Sequence, residues 1–266
     1  MKDATLFGYN VMVAVSVAQW SKAPGCGPGD RGFKSLHSPQ LLTSTNTDFV
    51  FYPNQVIMLN HSPDGIISVD QHMVDKAAIT IANAFAEDPG IVYALPNPSK
   101  LANFPLIIAY QLKLDLMNGG KVYTTSPECE GVACWHPPET RSSWINQLRA
   151  GYFRLPFYGG LHYMRYSQQE DRFFADLKSK YAPHKCIYLT LLGVAPQYQG
   201  MGYASRLIRY MIQYADKKNL PCYLETQNTT NVNMYSKFGF KLKGSTHFPP
   251  GSECEVHIMI RDAVYV

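Results

Sequence analysis

Tyr188-Leu-Thr-Leu-Leu-Gly-Val-Ala-Pro-Gln-Tyr-Gln-Gly-Met-Gly-Tyr-Ala-Ser205 is the stretch on which the reading of this chain turns. Tyr188 to Val194 is almost wholly apolar and stops at Pro196, as a buried strand does. From Ala204 onward the apolar residues Leu207, Ile208, Met211, Ile212 and Ala215 fall on one face of a 3.6-period helix. Between strand and helix lie Gly200 and Gly202, positions without side chains where backbone can approach a partner closely. The first-turn N–H groups of a helix have no intrahelical acceptor and attract anions. The unit is therefore built to hold a phosphate-bearing ligand on bare backbone.

Two familiar phosphate loops do not fit. A G-x-G-x-x-G dinucleotide fingerprint needs glycine where Ser205 stands, and a P-loop needs Gly-Lys-Ser/Thr, which Ser205-Arg206 does not supply. The stretch instead resembles the acetyl-CoA motif of the GNAT N-acetyltransferases, (Gln/Arg)-x-x-Gly-x-(Gly/Ala), filled by Gln199, Gly202 and Ala204. A second resemblance lies downstream, where Asn231-Val-Asn-Met-Tyr235 and Gly239-Phe240 match the family's Asn, Tyr and Gly-Phe signature. A narrower likeness, to the puromycin N-acetyltransferase-like branch, rests on Gly131 to Pro138, Leu189 to Gly202, Leu224-Glu-Thr226, Asn231 to Phe240 and Pro250-Gly251.

The resemblance implies an α+β fold, an α/β/α sandwich. Its mixed, mostly antiparallel central sheet would carry a V-shaped splay between the fourth and fifth strands. Tyr188 to Val194 would be the fourth strand and Cys222 to Glu225 the diverging fifth. It further implies acetyl-CoA as co-substrate. Backbone N–H groups near Leu192 and Val194 would bind the pantetheine and acetyl carbonyl. The amides of Gln199, Gly200, Met201, Gly202, Tyr203, Ala204 and Ser205 would bind the pyrophosphate, and Asn231 would add its side-chain amide.

Acetyl transfer to an amine needs a held thioester, a neutral amine, donors for the tetrahedral oxyanion and an acid for the leaving thiolate. Tyr235 is the candidate acid, since a phenol has a pKa near ~10. Glu225, at the end of its strand, is the candidate base, acting directly or through water. His136 reads as structural. Cys186 and Cys222 lack a neighbouring His or Asp, which argues against an acyl-cysteine route. The expected activity is N-acetylation of a primary amine, of a small molecule, by direct attack in a ternary complex. Protein N-terminal or lysine acetylation, and a non-catalytic acyl-CoA-binding module, are the alternatives.

Outward from the motif, Gly65 to Val69 reads as a first strand, followed by a helix capped by Asp70 with Val74, Ala77, Ala78, Ile81, Ala82 and Phe85 on one face. Leu101 to Met117 reads as one helix. Lys121 to Thr124 and Gly131 to Trp135 read as a hairpin, stopped by Pro137-Pro138. Residues 139–180 read as a helical insertion beside the acceptor groove, rich in aromatics such as Trp144, Phe153, Phe157, Tyr166 and Phe174. A short helix over 228–238 and a last hairpin, 241–246 with 255–261, complete the domain.

The domain is expected to span 51–266, with residues 1–50 a poorly ordered extension and 41–48 a Ser/Thr/Asn-rich linker. A secretory signal over Ala4 to Trp20 is disfavoured because Asp3 offsets Lys2. Val17 to Trp20 and Gly32 to Ser35 can be encoded by codon sets resembling the internal promoter boxes of transfer-RNA genes, so residues up to Pro39 are read as a repeat-derived extension.

With 266 residues, 46% hydrophobic and 17% charged, burial of a sizeable core is feasible. A net charge of +4 is too weak to argue for a nucleic-acid partner. No stretch approaches the ~20 apolar residues needed to span a bilayer, so no membrane partner is expected. The six cysteines show neither Cys-x-x-Cys nor zinc-type His spacing, so they read as reduced thiols of a cytoplasmic protein with no metal.

Overall fold

The computed structural model of the chain describes residues 42–44, 47–52, 55–60 and 65–264. The readings placed on residues 1–41 lie outside the described residues. Strands β1 (Leu42–Ser44), β2 (Thr47–Tyr52) and β3 (Gln55–Asn60) form a small antiparallel sheet in the order β1-β2-β3. The Ser/Thr/Asn-rich stretch expected as linker thus contributes strand. Its polarity suggested a loop, but Thr43, Thr47 and Val50 are β-branched and suit a pleated backbone. The boundary expected at 50/51 falls inside β2.

The rest is one seven-stranded sheet with helices on both faces. Its strands are β4 (Ile67–Ser68), β5 (Lys121–Thr124), β6 (Gly131–His136), β7 (Ile187–Val194), β8 (Cys222–Thr226), β9 (Lys241–His247) and β10 (Glu255–Arg261). They lie in the order β4-β5-β6-β7-β8-β10-β9, antiparallel except for β7 with β8. Helices α1 (Val74–Ala84), α2 (Pro89–Ala94), α3 (Pro98–Leu101), α4 (Phe104–Met117), α5 (Trp144–Ala150), α6 (Leu155–Tyr181), α7 (Tyr203–Lys217) and α8 (Thr229–Ser236) complete it.

Two apolar clusters sandwich the sheet. Ile81, Ile108, Leu112, Tyr166 and Phe174 from α1, α4 and α6 pack with Tyr188, Leu191, Tyr223 and Ile258. On the other face Leu207, Ile208 and Met211 of α7 and Tyr235 of α8 pack with Leu189, Leu192, Leu224 and Met259. The alternation along β7 and β8 sends successive side chains to opposite layers.

The splay between the fourth and fifth strands is present. β7 and β8 pair only at Ile187 with Cys222 and Tyr188 with Tyr223. Immediately afterwards β7 bulges against β6: Trp135 faces Leu189 and Cys134 faces Leu191, leaving Thr190 as the extra residue. A bulge bends its strand and strengthens the local twist, so β7 leaves β8 where the bulge begins.

Several boundaries differ from the sequence reading. Asp70 does form a cap-like turn, its Oδ1 accepting from the N–H groups of His72 and Met73, but α1 starts later, at Val74. The helix expected over 101–117 is split, because Pro105 suits the first turn of a new helix and α4 starts at Phe104. In the insertion, Tyr166 and Phe174 are buried, whereas Trp144, Phe153 and Phe157 are exposed. Those three are therefore not core filler.

Candidate functional site

The ladder bonds at its two ends fix the open edge of β7. Ile187 N–H donates to Pro221 O at 2.9 Å, so it points toward β8. Ala195 N–H donates to Glu130 O at 2.8 Å, so it points toward the β6 side. Backbone direction alternates along a strand, which turns Val194 and Leu192 away from β6 and into the gap beyond the splay. Among the described residues no strand pairs with them there. The two amides singled out from the sequence are thus unpaired donors on an interior edge.

The loop at the end of β7 continues this surface. Gln199 donates from Nε2 to Val194 O at 3.1 Å, tying the loop back to the strand. Gly200 and Gly202 have φ of +77° and +87°, values that L side chains rarely adopt, and a Cβ at either would meet nothing within 4 Å. The loop therefore needs glycine for its backbone path and faces open space. Met201 at its tip is exposed. Gly202 is the residue before α7, whose first turn is Tyr203, Ala204 and Ser205. Within one segment, free helix-terminal N–H groups follow the unpaired strand edge.

Tyr235 is fully buried on α8, edge-on to Phe240 at 5.6 Å, and its hydroxyl has no hydrogen-bond partner among the described residues. Burial pushes the phenol well above its ordinary pKa, so it keeps its proton and has one to donate. Asn231, one turn earlier, is buried with Nδ2 3.3 Å from Thr226 Oγ1. The side chain singled out for ligand binding thus already bridges α8 to the end of β8.

Glu225 lies on the opposite face of the sheet, fully buried. Tyr223 Oη donates to Glu225 Oε1 at 2.5 Å. Tyr188 lies close enough to act on the same carboxyl, although Tyr188 Oη and Glu225 Oε2 fall short of a formed hydrogen bond. Lys178 stands over the Tyr188 ring at 4.6 Å. Burial pushes the Glu225 carboxyl up from 4.5 to about 7, and the two tyrosines and Lys178 partly oppose that rise. A group that titrates there can exchange a proton near neutrality. Neither Tyr188 nor Tyr223 was singled out as a site residue from the sequence. The available signal was Tyr223-x-Glu225, which strand alternation puts on one face.

The sequence reading also missed a buried set at the far end of β6. Asp115 Oδ1 lies 2.9 Å from His136 Nε2 and accepts from Gln111 at 3.0 Å, while Cys134 Sγ donates to Asp115 Oδ2 at 3.2 Å. Their ligand-type atoms lie within 4.8 Å of one another. Each already satisfies another by hydrogen bonding, in keeping with the structural role read for His136. Cys134-x-His136 on one strand was the visible half of this set; Asp115, on a helix, was not. A cavity of about 400 Å³ opens nearby, lined by His136, Arg141, Lys178, Cys186 and Tyr188 among others. It lies at the paired end of β7, away from the glycine loop.

A strand order of β4-β5-β6-β7-β8-β10-β9, with a parallel pair that splays behind a bulge and ends in a glycine loop, defines the GNAT fold. The acetyltransferase (GNAT) family matches residues 161–240, which covers the end of the insertion, the loop and α8. The chain is 28% identical over 204 residues to an uncharacterized N-acetyltransferase of Schizosaccharomyces pombe, covering 70% of this chain and 78% of that one. Among solved structures it is similar to "histone acetyltransferase HPA2 and related acetyltransferase" from Corynebacterium glutamicum, with a TM-score of 0.56 and 19% identity, covering 76% of this chain and 97% of that one. Fold and relatives support acetyl transfer in general. Among the described residues no helix is long and apolar enough to cross a membrane.

Proposed function

We propose that this chain is an acetyl-CoA-dependent N-acetyltransferase that acetylates a primary amine of a small molecule by direct attack in a ternary complex. The observation that carries the reading is the interior strand edge: Leu192 and Val194 present unpaired N–H groups beside a glycine loop opening on space. A buried Tyr235 hydroxyl on the α8 side, without a hydrogen-bond partner among the described residues, adds to it. These groups suit an extended amide-bearing arm with a phosphate at one end, and acetyl-CoA supplies that arm together with an activated acetyl group.

The residues divide the work as follows. Leu192 and Val194 N–H groups align the arm and stabilise negative charge on the acetyl oxygen. The amides of Gly200 to Ser205 hold the pyrophosphate. Glu225 takes the amine proton, directly or through water, on the face lined by Tyr188 and Tyr223. Tyr235 donates to the departing sulfur. The likeness to the puromycin N-acetyltransferase-like branch belongs to the same proposal and rests on the segments quoted for it.

Ligand binding to the native state raises thermal stability by mass action. At 100 times its dissociation constant acetyl-CoA is expected to add about 2.7 kcal/mol, roughly 5–10 °C for a chain of this size. NAD and ATP are expected to shift Tm far less. Equal shifts with all three in a thermal melt would count against the assignment, as would failure to release free CoA across a panel of primary amines.

Glu225 yields a pH prediction in two readouts. As a base with a pKa of about 7, it should make turnover of a fixed amine rise through neutrality, and Glu225→Gln should lose that limb. For stability, the folded state favours the protonated carboxyl. This contribution is full below 4.5 and is lost as pH rises through about 7, on the order of 3 kcal/mol. Glu225→Gln should therefore gain stability relative to wild type between pH 4.5 and 7, measured by urea melts. Parallel curves for the two proteins would contradict the placement of this group.

A further inference from the structure

The cavity of about 400 Å³ at the paired end of β7 is bordered by three parts of the chain: the end of β6 with the turn after it, the second half of α6, and the segment that enters β7. Concave spaces of this size hold small organic molecules. Its walls combine two chemistries. Pro137, Pro138, Phe174 and Pro183 supply apolar surface, and Tyr188 adds a second ring. Lys178 and Arg141 bring positive charge from opposite sides of the sequence, one from α6 and one from the turn after β6.

Neither cation is in an ion pair with a carboxylate among the described residues. Asp171 is the acidic residue of the wall and has an interaction of its own. Lys178 is half-buried, with Nζ 4.6 Å from the centroid of the Tyr188 ring. Burial lowers its pKa, and Cys186 and Glu225 oppose that fall. A partly desolvated ammonium without an ion partner is a cost that a neighbouring anion removes. Arg141 donates from Nη1 to Pro138 O at 2.6 Å and to Thr140 O at 3.0 Å. Those bonds hold the guanidinium through one nitrogen and leave Nε and Nη2, a side-on fork of the kind that matches a carboxylate. Thr140 is 7% exposed and lines the same space, and its Oγ1 has no hydrogen-bond partner among the described residues. A buried hydroxyl of that kind is a further donor to a polar ligand.

We infer that this cavity is a second binding site, which takes a small organic carboxylate with a ring-sized apolar body. The carboxylate draws on Lys178 and Arg141, with Thr140 as an added donor. The body packs against Phe174, Tyr188 and the prolines. A lone inorganic anion would meet the same two cations but leave the apolar walls unfilled. The site lies at the opposite end of β7 from the glycine loop, so occupancy there does not depend on acetyl-CoA being bound.

The test is isothermal titration of the full chain with phenylacetate, with its neutral analogue phenylacetamide and with inorganic phosphate. Phenylacetate is expected to bind at least about 10-fold more tightly than phenylacetamide, since the carboxylate alone meets the two cations. It should also bind more tightly than phosphate, because its ring fills the apolar part. Lys178→Met keeps an apolar stem and should cut the acid-to-amide ratio to about threefold or less, with Tm confirming a folded protein. Should that variant fail to fold, Arg141→Gln alters an exposed side chain and should lower the ratio by a few fold. Saturating CoA should leave phenylacetate affinity within about twofold, as for two sites with little coupling. Equal affinity for acid and amide, a ratio unchanged in the variants, or phosphate binding as tightly as phenylacetate would overturn the site. So would loss of phenylacetate binding once CoA is bound. A protein that takes up no CoA leaves the acid-to-amide comparison intact, which keeps failure of the acetyl-transfer proposal apart from failure of this site.

Discussion

Tyr235→Phe is expected to lower kcat by about 10²-fold or more while leaving the KM for acetyl-CoA nearly unchanged. The substitution removes one oxygen and keeps the ring that packs against Phe240. That oxygen is buried without a partner among the described residues, so its loss breaks no hydrogen bond of the folded protein. Stability should stay within ~1 kcal/mol and can rise, because an unpaired buried hydroxyl is a cost. The raised pKa of the phenol keeps its proton in place across the working range, so the group donates to a sulfur that becomes negative only in the transition state. Urea melts combined with steady-state kinetics separate the roles. Unchanged turnover would make Tyr235 packing alone, and a raised KM with turnover retained would make it a ground-state ligand.

Gly202→Asp is expected to abolish acetyl-CoA binding in a protein that still folds. Two costs combine. At φ +87° any side chain is strained, by about 1 kcal/mol or more. The carboxylate also stands at the N-terminus of α7, where it takes the place of a phosphate on the same N–H groups and repels the next one. A Cβ there meets no neighbour, so the core is not disturbed. Equilibrium binding by titration calorimetry checks it, and affinity within threefold of wild type would show that this loop is not the phosphate site.

The parts legible in the sequence were those governed by local rules. The apolar run of β7, the glycines at positive φ and the 3.6-residue spacing of α7 each carry their own signal over a few neighbouring residues. Leu192 and Val194 lie where the resemblance placed them, on the edge that the splay leaves open. What stayed hidden depends on residues far apart in the chain. Nothing near Glu225 announces Tyr188, which joins it because β7 and β8 pair in that register. Asp115 meets Cys134 and His136 only through the packing of α4 on β6. Glu170 stands among the polar Gln168, Gln169 and Asp171, and the docking of α6 buries it. In β1 and the start of β2 the polar composition points to a linker, whereas the β-branched residues point to strand.

The seam between β7 and β8 has a mechanical meaning. Among the described residues two residue pairs, Ile187 with Cys222 and Tyr188 with Tyr223, join the half-sheet β4-β5-β6-β7 to the half-sheet β8-β10-β9. Each half is a continuous ladder and stiff; the compliance of the sheet is concentrated at that seam. Tyr235 rides with one half through α8 and β8, while the amides of Leu192 and Val194 ride with the other. Their separation is therefore fixed by how far the two plates open, and a molecule lodged between them acts as a brace that sets the angle.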